Sequence, residues 1–323
     1  MVLSVVVSLS RFQGAKMSAA VSVKVDLYQA VTDAIVAKLE AGVTPWAPSW
    51  VSAQVSRPLR VCGTPYNGVN VLILWLTAMD RGYSSPHWMT YEQAKKLGGQ
   101  VRKGEKSAKV VFYGSVEKEG KDSSGESVTK KIPFLRSYSV FNASQIDGLP
   151  GRFHPATKSV AINPGARLAV VDQWAAATGA TIDESGSRAC YHRAADVVRV
   201  PSFEQFQSPE AFASTLAHEL VHWSGASGRL NREFGKRFAD SAYAMEELVA
   251  ELGSAFCLAD LGVCSIPRDD HASYLASWLA VLKADKRAIF TAASAASAAA
   301  AFLGSAGVGV VSEESEETFA ETV

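Results

Sequence analysis

Residues 214–225 read STLAHELVHWSG, with His218 and His222 four positions apart and Glu219 beside the first. On a helix, positions i and i+4 lie one turn apart on the same side, so the two imidazoles can aim at one ion. Glu219 projects about 100° further round, within reach of a water on that ion. This is the H-E-x-x-H arrangement with which zinc peptidases cleave amides. The ion acidifies the water and polarises a carbonyl, and the glutamate takes the proton. The chain has six histidines, His87, His154, His192, His218, His222 and His271, so this spacing rarely arises by chance. Leu216, Ala217, Leu220 and Val221 would bury such a helix, and the bland alternative is two packed histidines on that helix.

A catalytic ion keeps three protein ligands and one open position. A histidine six residues past the second would fall on Gly228, which cannot bind, and this excludes one large class. The segment AMEELVAELGSAF offers Glu246, Glu247 and Glu251 beside an apolar stripe of Leu248, Leu252 and Ala255. Carboxylates on a buried face are costly unless a cation sits there. Glu247 and Glu251 are again i and i+4, so one can bind and the other orient a ligand histidine from behind. Glu247 is the expected ligand and Glu251 the expected orienting residue, with Glu246 still open as a ligand. Two imidazoles and a carboxylate suit Zn2+, and another divalent ion such as Mn2+ is compatible. His192 reads as a structural histidine, and His87 and His154 as surface residues.

These side chains need helices to hold them. Residues 208–225 have Ser208 as N-cap, Pro209 at the first helical position and Gly225 at the end. A second helix is expected from about 241 to 260. Asp269 and Asp270 can cap a third, and the alanine-rich run after Asp285 makes a last one. Before them, residues 166–180 read as a helix, and ATIDES and RACYHRAADVVRVP as short strands.

The front of the chain is different. It opens with helical patterns near residues 27–42 and 69–82 and a short helix at 91–98 capped by Thr90. Two strands follow, over 101–120 and 130–146, joined by the polar loop 120–130. Residues 21–150 hold 16 Lys+Arg against 11 Asp+Glu, whereas residues 151–311 hold 14 against 16 and the tail adds five glutamates without a base. A basic front half suggests a polyanionic partner for that half alone. Arg102, Lys103, Lys106 and Lys109 run up to Tyr113, and Trp46 precedes them in a proline-rich loop with Trp50. A basic groove with aromatic rings binds single-stranded nucleic acid, although half of these rings must be core, Trp75 among them.

The fold class is α+β. A disordered extension, 1–20, precedes an α+β domain, 21–147, and a Gly/Pro-rich linker, 148–165. A mainly helical domain with a small sheet follows, 166–304, and then a disordered acidic tail, 305–323. The four cysteines, Cys62, Cys190, Cys257 and Cys264, form no C-x-x-C pair and read as reduced cytoplasmic thiols, mostly in the core. No run of about 18 apolar residues is evident, so no membrane partner is expected.

The chain resembles the ArdC-type antirestriction proteins of conjugative plasmids and their relatives in plasmid primases and phages. PWAPSW, PYNGVNVLILW, QAKKLGGQVRKGEKSAKVVFY and VFNASQIDGLP carry the resemblance in the first half. TLAHELVHWSG, SGRLNRE and YAMEELVAELGSAF carry it in the second. The resemblance implies an N-terminal single-stranded-DNA-binding domain and a zincin-like metallopeptidase domain, with metal at His218, His222 and a glutamate of EELVAE. It further implies protection of transferred DNA from host restriction. Ala226 stands where the family often has a histidine. The protein substrate of such a domain is not identified by the sequence. A metallopeptidase that acts alone, with a basic half that recognises protein, is the alternative reading.

Overall fold

The computed structural model describes residues 26–46, 56–121, 127–155, 165–234, 241–266 and 271–305. The expected N-terminal extension, Trp50, the middle of the expected linker, Asp269, Asp270 and the tail after Ser305 lie outside these residues.

The first half contains α1 (Leu27–Glu40), α2 (Val69–Arg81), β1 (Trp88–Met89), α3 (Tyr91–Lys96), β2 (Gln100–Val101), β3 (Ala108–Lys121), β4 (Ser127–Asn142) and β5 (Ile146–Asp147). Asp26 caps α1 by accepting from the Tyr28 and Gln29 amides, and Thr32, Ile35 and Leu39 form its buried stripe. Thr90 and Gln93 close a reciprocal capping box on α3. The strands β3 and β4 pair antiparallel from Ala108↔Val140 to Lys121↔Ser127. The ladder therefore runs well into the segment expected as loop. Only residues 122–126 remain between the strands. Strand β1 adds to the other side of β4, so β3 is the edge. Asn70 satisfies that edge in part, bonding the Val111 amide and carbonyl at 2.8 Å each.

The second half contains α4 (Ala169–Ala177), β6 (Thr181–Asp183), β7 (Cys190–His192), β8 (Val197–Arg199), α5 (Pro209–Ser224), α6 (Ser241–Asp260), α7 (His271–Ala284) and α8 (Ala288–Ser305). The small sheet has the order β6-β8-β7, with β6 parallel and β7 antiparallel to β8. It covers one side of α5, and α6 and α8 pack on others. Every residue of α5 from Phe212 to Ser224 is buried, as expected of a helix enclosed on all sides. At Gly253, an added Cβ would lie 2.9 Å from both Val221 methyls. That glycine lets α6 approach the histidine helix.

The two halves share one core. Ile35, Leu72, Trp75 and Trp46 belong to the same buried cluster as Leu220, Phe256, Trp278 and Leu303. The Thr32 hydroxyl donates to the Lys286 carbonyl at 2.8 Å, and the Gly68 amide to Ser297 Oγ at 2.8 Å. Arg57 grips Asp260 with two bonds of 2.6 Å. A second, smaller cluster joins Met89, Ala94, Val101, Ala143, Ile146 and Phe153. Phe153 falls in the expected linker, whose first residues are thus packed on the front half.

Three sequence expectations need correction. Among the cysteines only Cys257 is buried, and Cys62 and Cys190 are exposed. His87 is half-buried, its ring edge-on to Phe153 at 5.2 Å. Helix α8 is long and apolar enough, by length and composition, to cross a membrane. Its apolarity comes mainly from small residues, and Ala292, Ala293, Ala296, Ala299 and Ala300 are buried in the core.

Candidate metal centre and nucleic-acid face

Helix α5 is set by its ends. Ser208 accepts from the Ala211 amide, Pro209 opens the first turn and Gly225 closes the last. In its last two turns, His218, Glu219 and His222 are 2%, 3% and 9% exposed, so polar groups sit where burial is costly unless they are partnered. The Nε2 atoms of His218 and His222 are 3.1 Å apart. From α6, Glu247 brings one carboxylate oxygen to 3.4 Å from His218 Nε2 and the other to 3.5 Å from His222 Nε2. One donor atom from each of the three residues lies within 4.8 Å of the others.

That spacing has a simple meaning. Ligands about 2.0–2.1 Å from a tetrahedral ion lie about 3.3–3.4 Å from one another. The separations of 3.1, 3.4 and 3.5 Å, the last two to different oxygens of Glu247, lie close to that value, so the three residues could hold an ion. The two ring nitrogens face each other and share one carboxylate, a poor arrangement for neutral hydrogen bonds and a good one for a cation.

The other two glutamates stand behind the imidazoles. Glu246 Oε1 is 3.1 Å from His222 Nδ1, which makes that nitrogen the donor and turns the Nε2 lone pair inward. Glu251 Oε1 lies 3.6 Å from His218 Nδ1, longer than a hydrogen bond. The sequence had one orienting carboxylate in view, and the fold provides one behind each ring. Arg232 was not foreseen. Its Nε and Nη2 donate to the two Glu246 oxygens at 3.0 and 2.9 Å, and its Nη1 donates to Ser224 Oγ at 3.0 Å. It sits in SGRLNRE, a loop segment without helical or strand period, and nothing local announces its partner. One turn before Glu247, the Tyr243 hydroxyl meets that of Tyr274 at 3.2 Å.

The charges are tightly linked. Burial alone would depress His222, but its contacts with Glu246 and Glu247 push it up to about 10. Burial would raise Glu247, but His218 and His222 hold it far below the usual carboxylate range. Glu246 is likewise lowered by His222 and Arg232 in spite of burial. Burial, the Tyr274 hydroxyl and the Glu247 charge push the Tyr243 phenol well above its ordinary value.

On the front half the expected residues divide. Trp46 is 1% exposed and lies edge-on to Trp278 at 5.9 Å. Its ring is closed off by the shared core, so the expected stacking role is withdrawn. Arg102 is exposed but is tied to Glu105, Asp147 and the Ser144 carbonyl. Lys103 and Lys106 are exposed on the turn before β3. Lys109 and the 66%-exposed Tyr113 share one face of β3, and Lys109 reaches Ser139 Oγ across the ladder. The opposite face carries a cluster that the sequence reading passed over. The Phe112 ring lies 6.1 Å from Phe134 and 6.2 Å from Tyr138, and Arg136 sits 4.8 Å over Phe134. The alternation Phe134, Arg136, Tyr138 along PFLRSYSVF was the available signal, since period two places all three on one face.

Among the remaining histidines, His192 is exposed at the end of the edge strand β7, its Nδ1 accepting from the Ala195 amide at 3.2 Å.

The fold and the donor set define a zincin-like metallopeptidase domain joined to an α+β head. Residues 169–295 match the zincin-like metallopeptidase family MPTase-PolyVal, and residues 25–141 match the N-terminal domain of anti-restriction factor ArdC. Two solved structures of antirestriction ArdC protein from plasmid R388 are similar. The metal-free one is 45% identical with a TM-score of 0.75, covering 87% of this chain and 98% of that one. The Mn(II)-bound one is 44% identical with a TM-score of 0.74, covering 88% and 99%. Protein y4eC of Sinorhizobium fredii is 39% identical over 278 residues, 84% of this chain and 89% of that protein. DNA primase TraC of Escherichia coli is 33% identical over 290 residues, and the chain spans 26% of its length. The chain belongs to the ArdC-type antirestriction proteins.

Proposed function

We propose that this chain is a cytoplasmic antirestriction protein that holds single-stranded DNA on its α+β half and a divalent ion on its helical half, protecting transferred DNA from host restriction. The observation that carries the reading is the buried set of His218, His222 and Glu247, with donor separations that suit a tetrahedral ion. The Mn(II)-bound structure of the R388 relative supports a divalent ion, and zinc is equally compatible with this donor set.

Bound there, the ion would supply Lewis-acid polarisation of water and of a carbonyl. The protein supplies the rest. Glu219, adjacent to His218 and buried with it, is the group to accept a proton from water and pass it to a leaving amine. Glu246 fixes the tautomer of His222, and Glu251 stands behind His218. The walls of α5 and α6 keep bulk water from the donors, which strengthens every charge interaction among them. The substrate class is a peptide.

On the front half, Lys103, Lys106 and Lys109 would meet phosphates and Tyr113 would stack on bases. Arg102 would act after giving up part of its internal pairing. Burial of Trp46 and the internal pairing of Arg102 are the observations on the side of the rival reading, in which the basic half recognises protein and the chain is a metallopeptidase acting alone.

Fluorescence anisotropy with single-stranded and duplex DNA across a salt series tests the DNA half. The reading expects preference for single strands and affinity that falls steeply with salt. Absence of binding at low salt would overturn it in favour of the rival. Glu219→Gln tests the other half: metal and DNA binding should persist while any effect that needs hydrolysis disappears. Unchanged function in that variant would leave the ion a purely stabilising role.

A further inference from the structure

We infer that Arg232 and Glu246 form a positioning clamp for the metal centre, in which the arginine locks the glutamate and the glutamate locks the ring of His222. The inference rests on the proposed metal site and assigns the residues that hold it in register.

The geometry is that of a junction. Arg232 lies beyond the end of α5, in a loop that folds back on the helix. The Arg232 amide donates to the Gly225 carbonyl at 2.9 Å, and the Leu230 amide to the Ser224 carbonyl at 3.0 Å. Asn231, at φ 48, makes the turn that sends the side chain inward. The guanidinium then places its donors on two helices at once. It bonds the Val221 carbonyl and Ser224 Oγ at the last turn of α5, and both carboxylate oxygens of Glu246 on α6. A cation at a helix C-terminus is favourable, and the planar fork matches a carboxylate in a way that lysine cannot. Glu246 is buried and Arg232 half-buried, at 5% and 11% side-chain exposure.

Gly225 is part of the device. A Cβ there would lie 2.7 Å from Arg232 Nη2 and 2.8 Å from the Phe234 ring. Its φ of −82° is open to any residue, so what a Cβ there would meet is the guanidinium and the Phe234 ring and not a backbone constraint. Phe234 in turn lies 6.2 Å from the His222 ring. The glutamate that reaches His222 Nδ1 is therefore held from behind, while His218 has only Glu251 at 3.6 Å. The two ligand rings are supported unequally, and the tightly held one is His222.

The test is Mn(II) affinity by isothermal titration, with Zn(II) as a second ion, on the full chain and on Arg232→Ala, Arg232→Lys, Glu246→Gln and the double variant Arg232→Ala/Glu246→Gln. Melting temperature after chelation and single-strand binding are read in parallel. Loss of such a partner typically weakens metal binding roughly 10- to 100-fold, and that loss is expected for Arg232→Ala and Glu246→Gln. Arg232→Lys should weaken it less, since the charge remains but the fork does not. The double variant should be no weaker than the worse single one, because both act through one ring. Arg232→Lys and Glu246→Gln keep the proposal testable should Arg232→Ala fail to fold. Unchanged affinity in the single variants, or losses that add in the double one, would overturn the clamp while leaving the metal site intact. A wild-type chain that binds neither ion would overturn both.

Discussion

At the residue scale, the centre is a set of groups whose charges only make sense together. Burial alone would depress His222, but Glu246 and Glu247 beside it push it up to about 10. A raised histidine pKa stabilises the fold fully below the unfolded value of about 6.5, and the benefit is lost as pH rises through about 10. The lowered values of Glu246 and Glu247 work in the opposite direction, with stability present above about 4.5 and lost as pH falls. A ligand histidine must be neutral, so metal uptake near pH 7.5 should release about one proton per ion. Titration in buffers of different ionisation enthalpy measures that number. Uptake without proton release would contradict the coupling. The pairing of His218 and His222 was legible because a four-residue spacing puts both on one helix face, with Glu219 about 100° round from the first. The third ligand was narrowed to three glutamates by position, and only the approach of α6 separates Glu247, between the rings, from Glu246 and Glu251 behind them. Trp46 shows the limit: a tryptophan beside prolines reads the same whether it faces DNA or another tryptophan.

At the element scale, the centre depends on how closely α6 lies against α5. Gly253 faces Val221, whose methyls leave no room for a Cβ. Gly253→Ala should cost about 1–3 kcal/mol in urea unfolding and weaken metal binding, since Glu247 moves with α6. Adding Val221→Ala should restore part of both, because it vacates the same space. A Gly253→Ala protein with unchanged affinity and stability would show that the spacing has slack. The hairpin offers a second test. Lys109 and Tyr113 occupy one face of β3, while Phe112, Phe134, Arg136 and Tyr138 share the other. A strand of DNA stacked on one face leaves the other free. Tyr113→Ala should cost about 1–3 kcal/mol of single-strand binding, and Lys109→Ala should lower the salt dependence by about one phosphate. Loss from Phe134→Ala with no effect of Tyr113→Ala would move the interface to the opposite face. Helix α5 and the capping of α3 were readable from local residues. The length of the hairpin was not, since a polar run suggests a loop until its partner strand is known.

At the scale of the whole molecule, the chain is two family regions built around one core. Helix α1 packs on α7 and Trp75 lies edge-on to Phe256 at 5.7 Å, joining residues far apart in sequence. Charge asymmetry and a Gly/Pro-rich segment suggested independent halves, and composition cannot reveal that α1 and α2 bury their apolar stripes against the other half. Thermal unfolding should accordingly follow one cooperative transition. Arg57→Ala should lower stability by about 1 kcal/mol, because it removes both bonds that tie the front half to Asp260 at the end of α6. Burial already pushes that carboxyl up despite the arginine. Two separate calorimetric transitions in the wild-type chain would contradict a common core. The same continuity places Trp278, stacked on Tyr274 at 6.0 Å, between Trp46 and the tyrosine pair beside Glu247.

The most direct measurement is anomalous diffraction from crystals grown with Mn(II) or Zn(II). The account expects one peak per chain, about 2.0–2.2 Å from His218 Nε2, His222 Nε2 and a Glu247 carboxylate oxygen, with Glu246 and Glu251 uncoordinated. A peak ligated by Glu246 or Glu251 in place of Glu247, or no peak between α5 and α6, would contradict it.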